Sequence, residues 1–545
     1  MRLITLVLVF FTVAKVAAQQ RAPEIESITA RDMKADLTFL ASDSMAGRLT
    51  DTPQNAMAAE WITSRFERMG LKPIGDNGTY YQKYTLATAT LGEGNQGRIG
   101  AFGTDWYPTR FSASGNAEGS LVFVGYGISS PERRHDDYRG DVKGQIVLAL
   151  DHEPGERDEN SPFDGVVTAQ AADQLQKALA AQARGAVGIL FVSDVQNHPA
   201  PATQNPTANQ PPPALNLATA WPNQPPRIPR YMLGTWVERV KIPAAVISLP
   251  ALKRMLMASS ALSQPFEELA KTAETPGGAK QVSLGIVAQF TTAVTRKFID
   301  DRNVVAMLEG SDPAMKDEAV IVCAHYDHDG TNGTTVLNGA DDDGSGTIGV
   351  VEIAEAYALA AAKGNRPKRS VIFAAWNSEE RGLFGAWAYT QNPIVPLEKT
   401  VAVLNMDMIG RNEEVPEGGG GSGRFRGLDV QTSESNNNAV NIIGTTRSAS
   451  LKQAIEKANG GIGLTLRLRY DNNMSQLMRR SDHWPFLNMG VPAVWVHTGL
   501  HPDYHTANDD ADRINYPKME KIARMVYQAS WDLASAPGRP VLDRR

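Results

Sequence analysis

Cysteine is almost missing from this chain. Its single residue, Cys323, excludes an intrachain disulfide and any all-thiolate metal site. The apolar run around it, Ala319-Val-Ile-Val-Cys-Ala324, predicts a small buried hydrophobe rather than a reactive thiol. A basic excess is missing too: 54 Lys and Arg stand against 60 Asp and Glu, a net charge of −6 at pH 7. Without a basic stripe, a nucleic-acid partner is not expected. Beyond the first residues no apolar run approaches the ~20 that cross a bilayer, so no stable membrane span is expected either. Histidine is scarce, nine in all, yet six of them (His325, His328, His483, His497, His501 and His505) fall in the second half. Chemistry is to be sought there.

What is present begins with an export pattern. Arg2 is followed by the apolar stretch Leu3 to Ala14, and after Lys15 the small residues Val16-Ala17-Ala18 suit a cleavage site. Residues 1–18 are therefore predicted to be a signal peptide, and the mature protein to be periplasmic or secreted. The 545 residues predict two to four domains, and an apolar fraction of 42% excludes whole-chain disorder.

Within 28–72, apolar residues recur at helical spacing, and Gly70 stops the second helix. From about 111 the texture turns to short β-like runs at 120–125, 145–150, 188–192 and 242–248, with an alanine-rich helix at 170–184. This block, 111–290, is predicted to be a separate β-rich domain. It holds no catalytic constellation and is expected to be dispensable for any metal site. The prolines and asparagines of 198–230 read as an exposed loop. From 291, strands predicted at 319–324, 371–376, 401–406 and 491–497 alternate with helices at 346–362, 382–391, 448–458 and 517–534. That alternation predicts a three-layer α/β fold with a mostly parallel sheet. Gly418, Gly420 and Gly423 match G-x-G-x-x-G, but no strand precedes them and no helix follows, so dinucleotide binding is not expected.

Five clusters stand mostly just after apolar strands: His325-Tyr-Asp327-His328, Asp341-Asp342-Asp343, Glu379-Glu380, Asp407, and Asp503-Tyr504-His505. In open α/β sheets binding groups gather at the carboxyl ends of strands. Imidazole with carboxylate is the set that takes Zn²⁺ when thiolates are absent. Each cluster alone has a structural alternative. The aspartates could cap the helix near Gly346, and Glu379-Glu380 could be a solvated first helical turn. Asp407 resists such a reading, because a carboxylate ending the strand Val401-Ala-Val-Leu404 is costly unless paired.

These motifs resemble the co-catalytic dizinc aminopeptidase family, which includes bacterial secreted aminopeptidases and the glutamate carboxypeptidase and transferrin receptor relatives. The lead-in Leu40-Ala-Ser-Asp-Ser-Met-Ala-Gly-Arg48 resembles that family's N-terminal helices, and Asp137 to Val147 with Arg184 to Ile189 resembles its inserted protease-associated (PA) domain. The resemblance implies an αβα zinc-exopeptidase-like fold. It divides the chain into 19–110 and 291–540 for the peptidase and 111–290 for the PA domain. It further implies His325 and Asp407 on one zinc, Glu380 and His505 on a second, and Asp342 bridging the two. Glu379 would be the general base, Tyr504 an oxyanion donor, Asp327 a carboxylate orienting a ligating histidine, and Asp482-His483 supporting structure. Asp343-Gly344 departs from a commoner Asn–Ala pair but leaves every implied ligand in place. The implied activity is a zinc-dependent exopeptidase acting on peptides, most simply an aminopeptidase. A single-zinc glutaminyl cyclase and a non-catalytic receptor-like binding protein remain alternatives.

The export pattern carries its own test. N-terminal sequencing of exported protein is expected to start near Gln19, and a mature chain beginning at Met1 would remove the prediction.

Overall fold

The structure is a computed structural model, describing residues 21–193, 215–257, 259, 262, 264–418, 425 and 427–543. The signal peptide expected at 1–18, part of the loop at 198–230 and part of the glycine-rich stretch 416–427 lie outside the described residues.

Two sheets carry the fold. The first has ten strands. Its main members are β1 (Tyr81–Leu91), β2 (Val294–Leu308), β3 (Ala319–His325), β4 (Ser370–Trp376), β5 (Thr400–Met406), β6 (Ala439–Ile443) and β7 (Ala493–His497). In space they run β1-β2-β4-β3-β5-β7-β6. The central four, β4, β3, β5 and β7, are parallel, whereas β1, β2 and β6 join antiparallel. The expected parallel sheet is therefore the centre of a mixed one. The two long antiparallel strands escape the sequence reading because β1 is rich in threonine and half exposed, and so lacks a continuous apolar run.

Successive residues of β3 alternate between two cores. Val320, Val322 and Ala324 pack into one cluster, and Ala319, Ile321 and Cys323 into the other. A strand covered on both faces needs apolar residues at every position, which is why the central strands read as unbroken hydrophobic runs. On the first face lie α1 (Ala30–Leu40), α2 (Pro53–Arg68), α3 (Gly346–Ala362) and the C-terminal helix Tyr516–Ser535. The side chains of Thr29 and Thr52 cap α1 and α2 by accepting from backbone N–H groups. The helices Phe384–Gln391 and His483–Asn488 cover the second face. Among the described residues no helix is long and apolar enough to cross a membrane.

The second sheet has seven strands, from Gln96–Gly97 to Val282–Thr292, and its own apolar clusters. The chain enters it after β1 and leaves it into β2, so this body is inserted between two neighbouring strands of the first sheet. Within the insertion, Met232–Leu233 returns to pair with β1. Trp236 then packs edge-on against Phe384 and Trp387. A second attachment runs through the loop at 159–173. Val166 N–H donates to Asn472 Oδ1 at 2.9 Å and Thr168 N–H to Gln476 Oε1 at 3.0 Å. Trp484 Nε1 donates to Gln170 at 3.1 Å, and Arg479 pairs with Asp173 at 3.0 Å.

Arg48, on the lead-in segment, ties the N-terminal helices to the sheet rim. Its buried guanidinium donates to the carbonyls of Leu40 (2.9 Å), Tyr326 (2.9 Å), Asn338 (2.8 Å) and Gly339 (2.9 Å). Replacing it strands several buried acceptors, each worth about 1–3 kcal/mol when unsatisfied. Arg48→Met is expected to lower stability by roughly 2–4 kcal/mol in denaturant unfolding. A loss near the ~0.5 kcal/mol of a surface change would show those carbonyls to be otherwise satisfied.

Candidate metal centre

Because β3, β4, β5 and β7 are parallel, their carboxyl ends share one rim. β3 ends on His325, and Asp407 directly follows β5. Glu379 and Glu380 follow β4 by three and four residues, and the turn after β7 brings Tyr504 and His505. Asp342 lies on the turn Ala340–Ser345 that leads into α3.

Two donor sets form there, sharing Asp342. Its Oδ1 lies 3.4 Å from His325 Nε2, which is also 3.8 Å from Asp407 Oδ1. Its Oδ2 lies 2.9 Å from His505 Nε2, which in turn is 3.3 Å from Glu380 Oε2. Thus all five residues that the resemblance named as ligands come together. They fall into the pairings it implied, with Asp342 between.

Several atoms of these side chains lack a well-directed hydrogen bond. His325 Nε2, Asp407 Oδ1, Glu380 Oε1 and His505 Nε2 are buried and have no hydrogen-bond partner. Buried polar atoms are normally paired, and orphaned imidazole and carboxylate atoms at one rim suit a cation. Groups able to hold a metal are His325 with Asp342 and Asp407, His328 with Asp342 and Glu380, and Asp329 with Glu380 and His505.

Neighbouring side chains hold several of these candidates from behind. Asp407 accepts from Ser481 Oγ, which itself accepts from Asn405 Nδ2 at 2.7 Å. His505 Nδ1 is 3.1 Å from Asp329, whose carboxylate also takes Arg381. Fixing a ligand imidazole through its second nitrogen is a common device of metal sites. Asp327, expected in that role for His325, lies 3.6 Å from its Nδ1 and also accepts the backbone N–H of Glu379 at 3.0 Å. The Asp327 carboxylate thus positions the base candidate, while His325 Nδ1 lies 3.2 Å from the Asp327 backbone carbonyl. Glu379 is buried, with Oε2 3.7 Å from His325 Nε2.

Sequence reasoning missed the device that aligns the loops. Asp343 accepts from the backbone N–H of His325 (3.1 Å), Gly346 (2.9 Å) and Met408 (3.1 Å). Asp341 accepts from Gly410 N–H at 2.6 Å and Ser345 Oγ at 3.0 Å, and lies 3.2 Å from His501 Nε2. Asp509 in turn accepts from the N–H groups of Asp341 (3.0 Å) and Asp342 (3.1 Å). Of three consecutive aspartates, the middle one faces the site and the outer two lock it to neighbouring strand ends. Nothing in the spacing marks Asp509, whereas Asp329 was available as the acid next to His328.

Burial dominates the electrostatics. It pushes the carboxyls of Glu379, Glu380, Asp343 and Asp482 above their ordinary range, and neighbouring carboxylates add to the rise. Asp342 ends well below that range: the imidazoles of His325 and His505 outweigh its burial. Burial and the carboxylates of Asp342, Glu380 and Glu379 raise the Tyr504 hydroxyl well above its usual value, so it stays protonated beside His505. Asp482 and His483 are fully buried. Arg479, one of two arginines ahead of Ser481, is paired with Asp173 and braces the inserted body. Among the described residues that body supplies no member of any metal-capable group. It does hold the 472–484 segment from which Ser481 reaches Asp407.

Residues 303–530 match the profile of Peptidase family M28, and residues 117–219 that of the PA domain. A probable glutamate carboxypeptidase of Arabidopsis thaliana is 26% identical over 414 residues, 74% of this chain and 51% of that protein. Leucine aminopeptidase 2 of Arthroderma otae is 26% identical over 293 residues, 49% of this chain and 51% of that protein. The chain thus spans about half the length of these curated relatives. An aminopeptidase from Aneurinibacillus sp. strain AM-1 superimposes with a TM-score of 0.47 at 17% identity, covering 96% of this chain and 97% of that one. The motifs at the rim and the two profile matches point the same way: residues 303–530 are similar to Peptidase family M28, and residues 117–219, ahead of that region, to the PA domain.

Proposed function

We propose that this protein is a zinc-dependent exopeptidase, an aminopeptidase that removes N-terminal residues from peptides and holds two zinc ions per chain. The observation that carries this reading is the pair of orphaned donor sets sharing Asp342, with the Glu379 carboxylate at the edge of the first. His325, Asp342 and Asp407 would hold one ion, and Asp342, Glu380 and His505 the other. Bound there, the ions supply Lewis-acid polarisation of a peptide carbonyl and a water of lowered pKa.

The chain's own residues do the rest. Glu379 takes a proton from the attacking water and delivers it to the leaving amine as the C–N bond breaks. Asp327, by accepting the Glu379 backbone N–H, keeps that carboxylate on the His325 side. The protonated Tyr504 hydroxyl donates to the carbonyl oxygen as negative charge develops on it. Charge supports the aminopeptidase direction. Carboxylates surround the seats and suit a free ammonium group; of Arg479 and Arg480, the two candidate partners for a terminal carboxylate, Arg479 is committed to Asp173 while Arg480 acts on Tyr504. Export through the Leu3–Ala14 stretch completes the proposal.

Incubating the zinc-loaded protein with peptides blocked at one end or the other tests the direction. Release of N-terminal residues from C-terminally amidated peptides is expected. Release from N-acetylated peptides alone would reverse the assignment, and cyclisation of N-terminal glutamine with one bound metal would favour a glutaminyl cyclase.

The paired glutamates separate base from ligand. Glu379→Gln is expected to cut turnover by about 10²–10⁴ while leaving two zinc ions bound. Glu380→Gln is expected to lose or weaken one zinc. Metal analysis alongside kinetics would expose a reversed pattern. Two variants that hydrolyse normally would leave the glutamates as part of a turn without a catalytic role.

A further inference from the structure

His328 is unexplained by the donor sets above. It is fully buried, and neither ring nitrogen has a hydrogen-bond partner. A histidine that merely fills a core normally gives at least one nitrogen to a backbone carbonyl or a carboxylate, since an orphaned buried polar atom costs about 1–3 kcal/mol. Instead, His328 Nδ1 stands 2.7 Å from Glu380 Oε1 and 3.9 Å from Asp342 Oδ2. The Glu380 oxygen is an orphan too. His328, Asp342 and Glu380 offer ligand atoms that all lie within 4.8 Å of one another, a group able to hold a metal ion.

The fold makes room for this ring. Gly339 adopts φ 55°, and a Cβ there would fall 2.4 Å from His328 Cγ and 2.2 Å from the Asp342 carbonyl. The Gly339 carbonyl is itself held by Arg48. The His328 ring meets that of His505 edge-on, with centroids 5.4 Å apart and planes at 81°. Two imidazoles thus approach the Glu380 carboxylate from different sides, His328 at Oε1 and His505 at Oε2.

We infer that His328 is a metal ligand, the fourth protein donor of the seat formed by Asp342, Glu380 and His505. This deepens the proposed function and rests on its two-metal reading. The consequence is asymmetry. Four protein donors make a closed tetrahedral seat, whereas the three donors of the other, His325, Asp342 and Asp407, leave a position open. Glu379 stands beside that open seat, 3.7 Å from His325 Nε2. Substrate and water exchange therefore belong to the His325 seat. The His328 seat retains its metal and holds Asp342 and Glu380 in place.

Stripping the full-length protein with a chelator and titrating it with Co²⁺ tests this, with visible absorption reporting coordination and calorimetry reporting affinity. Wild type is expected to fill two sites in sequence, the tighter one first with the intense bands of a tetrahedral ion. In His328→Ala and His328→Gln that tight site should weaken at least tenfold and lose its tetrahedral bands, while the other keeps its affinity. Circular dichroism and thermal unfolding of the apo forms check that both variants fold. Two wild-type-like sites in both variants would overturn the inference. So would wild-type affinity in His328→Gln with loss only in His328→Ala, since the introduced amide would then be replacing a hydrogen bond to Glu380. A wild type that never takes up a second metal would instead defeat the two-metal reading itself.

Discussion

Repulsion between buried carboxylates is the constraint on which this structure turns. Asp342, Asp343, Glu379, Glu380, Asp407 and Asp482 lie at or just under one sheet rim, shielded from water. Taking one such charge out of water is costly, and placing several within a few ångströms compounds the cost. Burial first, and neighbouring carboxylates second, push Asp343, Glu379, Glu380 and Asp482 above their ordinary range, and nearby positive charge opposes both. Part of the relief comes from the imidazoles of His325 and His505, and part from backbone N–H groups aimed at Asp343, Asp341 and Asp509. The remainder is what a bound divalent cation supplies, and its charge would reverse the local pKa order.

Those backbone contacts also explain how a site built from separate strand ends keeps its shape. Asp343 links the end of β3 to the segment after β5, and Asp341 links the latter to the turn that carries His505. Because the aspartate between them is shared by both donor sets, any shift of one strand end moves both. A carboxylate at position 343, where the family pattern more often has asparagine, offers two acceptor oxygens to three N–H groups. The departure therefore has a structural use.

The inserted body enters this network from outside. Among the described residues it contributes to none of the groups able to hold a metal. Its independence of the site does not follow, because its loop at 159–173 grips Asn472, Gln476, Arg479 and Trp484. Ser481, in the same segment, positions Asp407. An element can thus be empty of chemistry and still set the geometry of a ligand.

Much of the fold and the donor set was legible in the amino acids alone. The central strands are buried on both faces and must be apolar throughout, so their ends, and the histidine and acids placed just beyond them, can be located by pattern. That reasoning reaches the clusters at 325–328, 341–343, 379–380, 407 and 503–505, because each stands at a break between regular elements; the choice of residues within them came from the family resemblance. It does not reach β1, whose threonines hide a half-exposed strand. Nor does it reach Asp509 or the use of His328 and Asp329, because their partners lie on other loops. Which oxygen of Asp342 faces which histidine, and which imidazole nitrogen is left without a partner, was decided only when distant turns closed over the rim. Sequence spacing determines the order of donors along the chain; the directions in which they point belong to the tertiary structure, because they depend on backbone contacts between segments far apart in sequence.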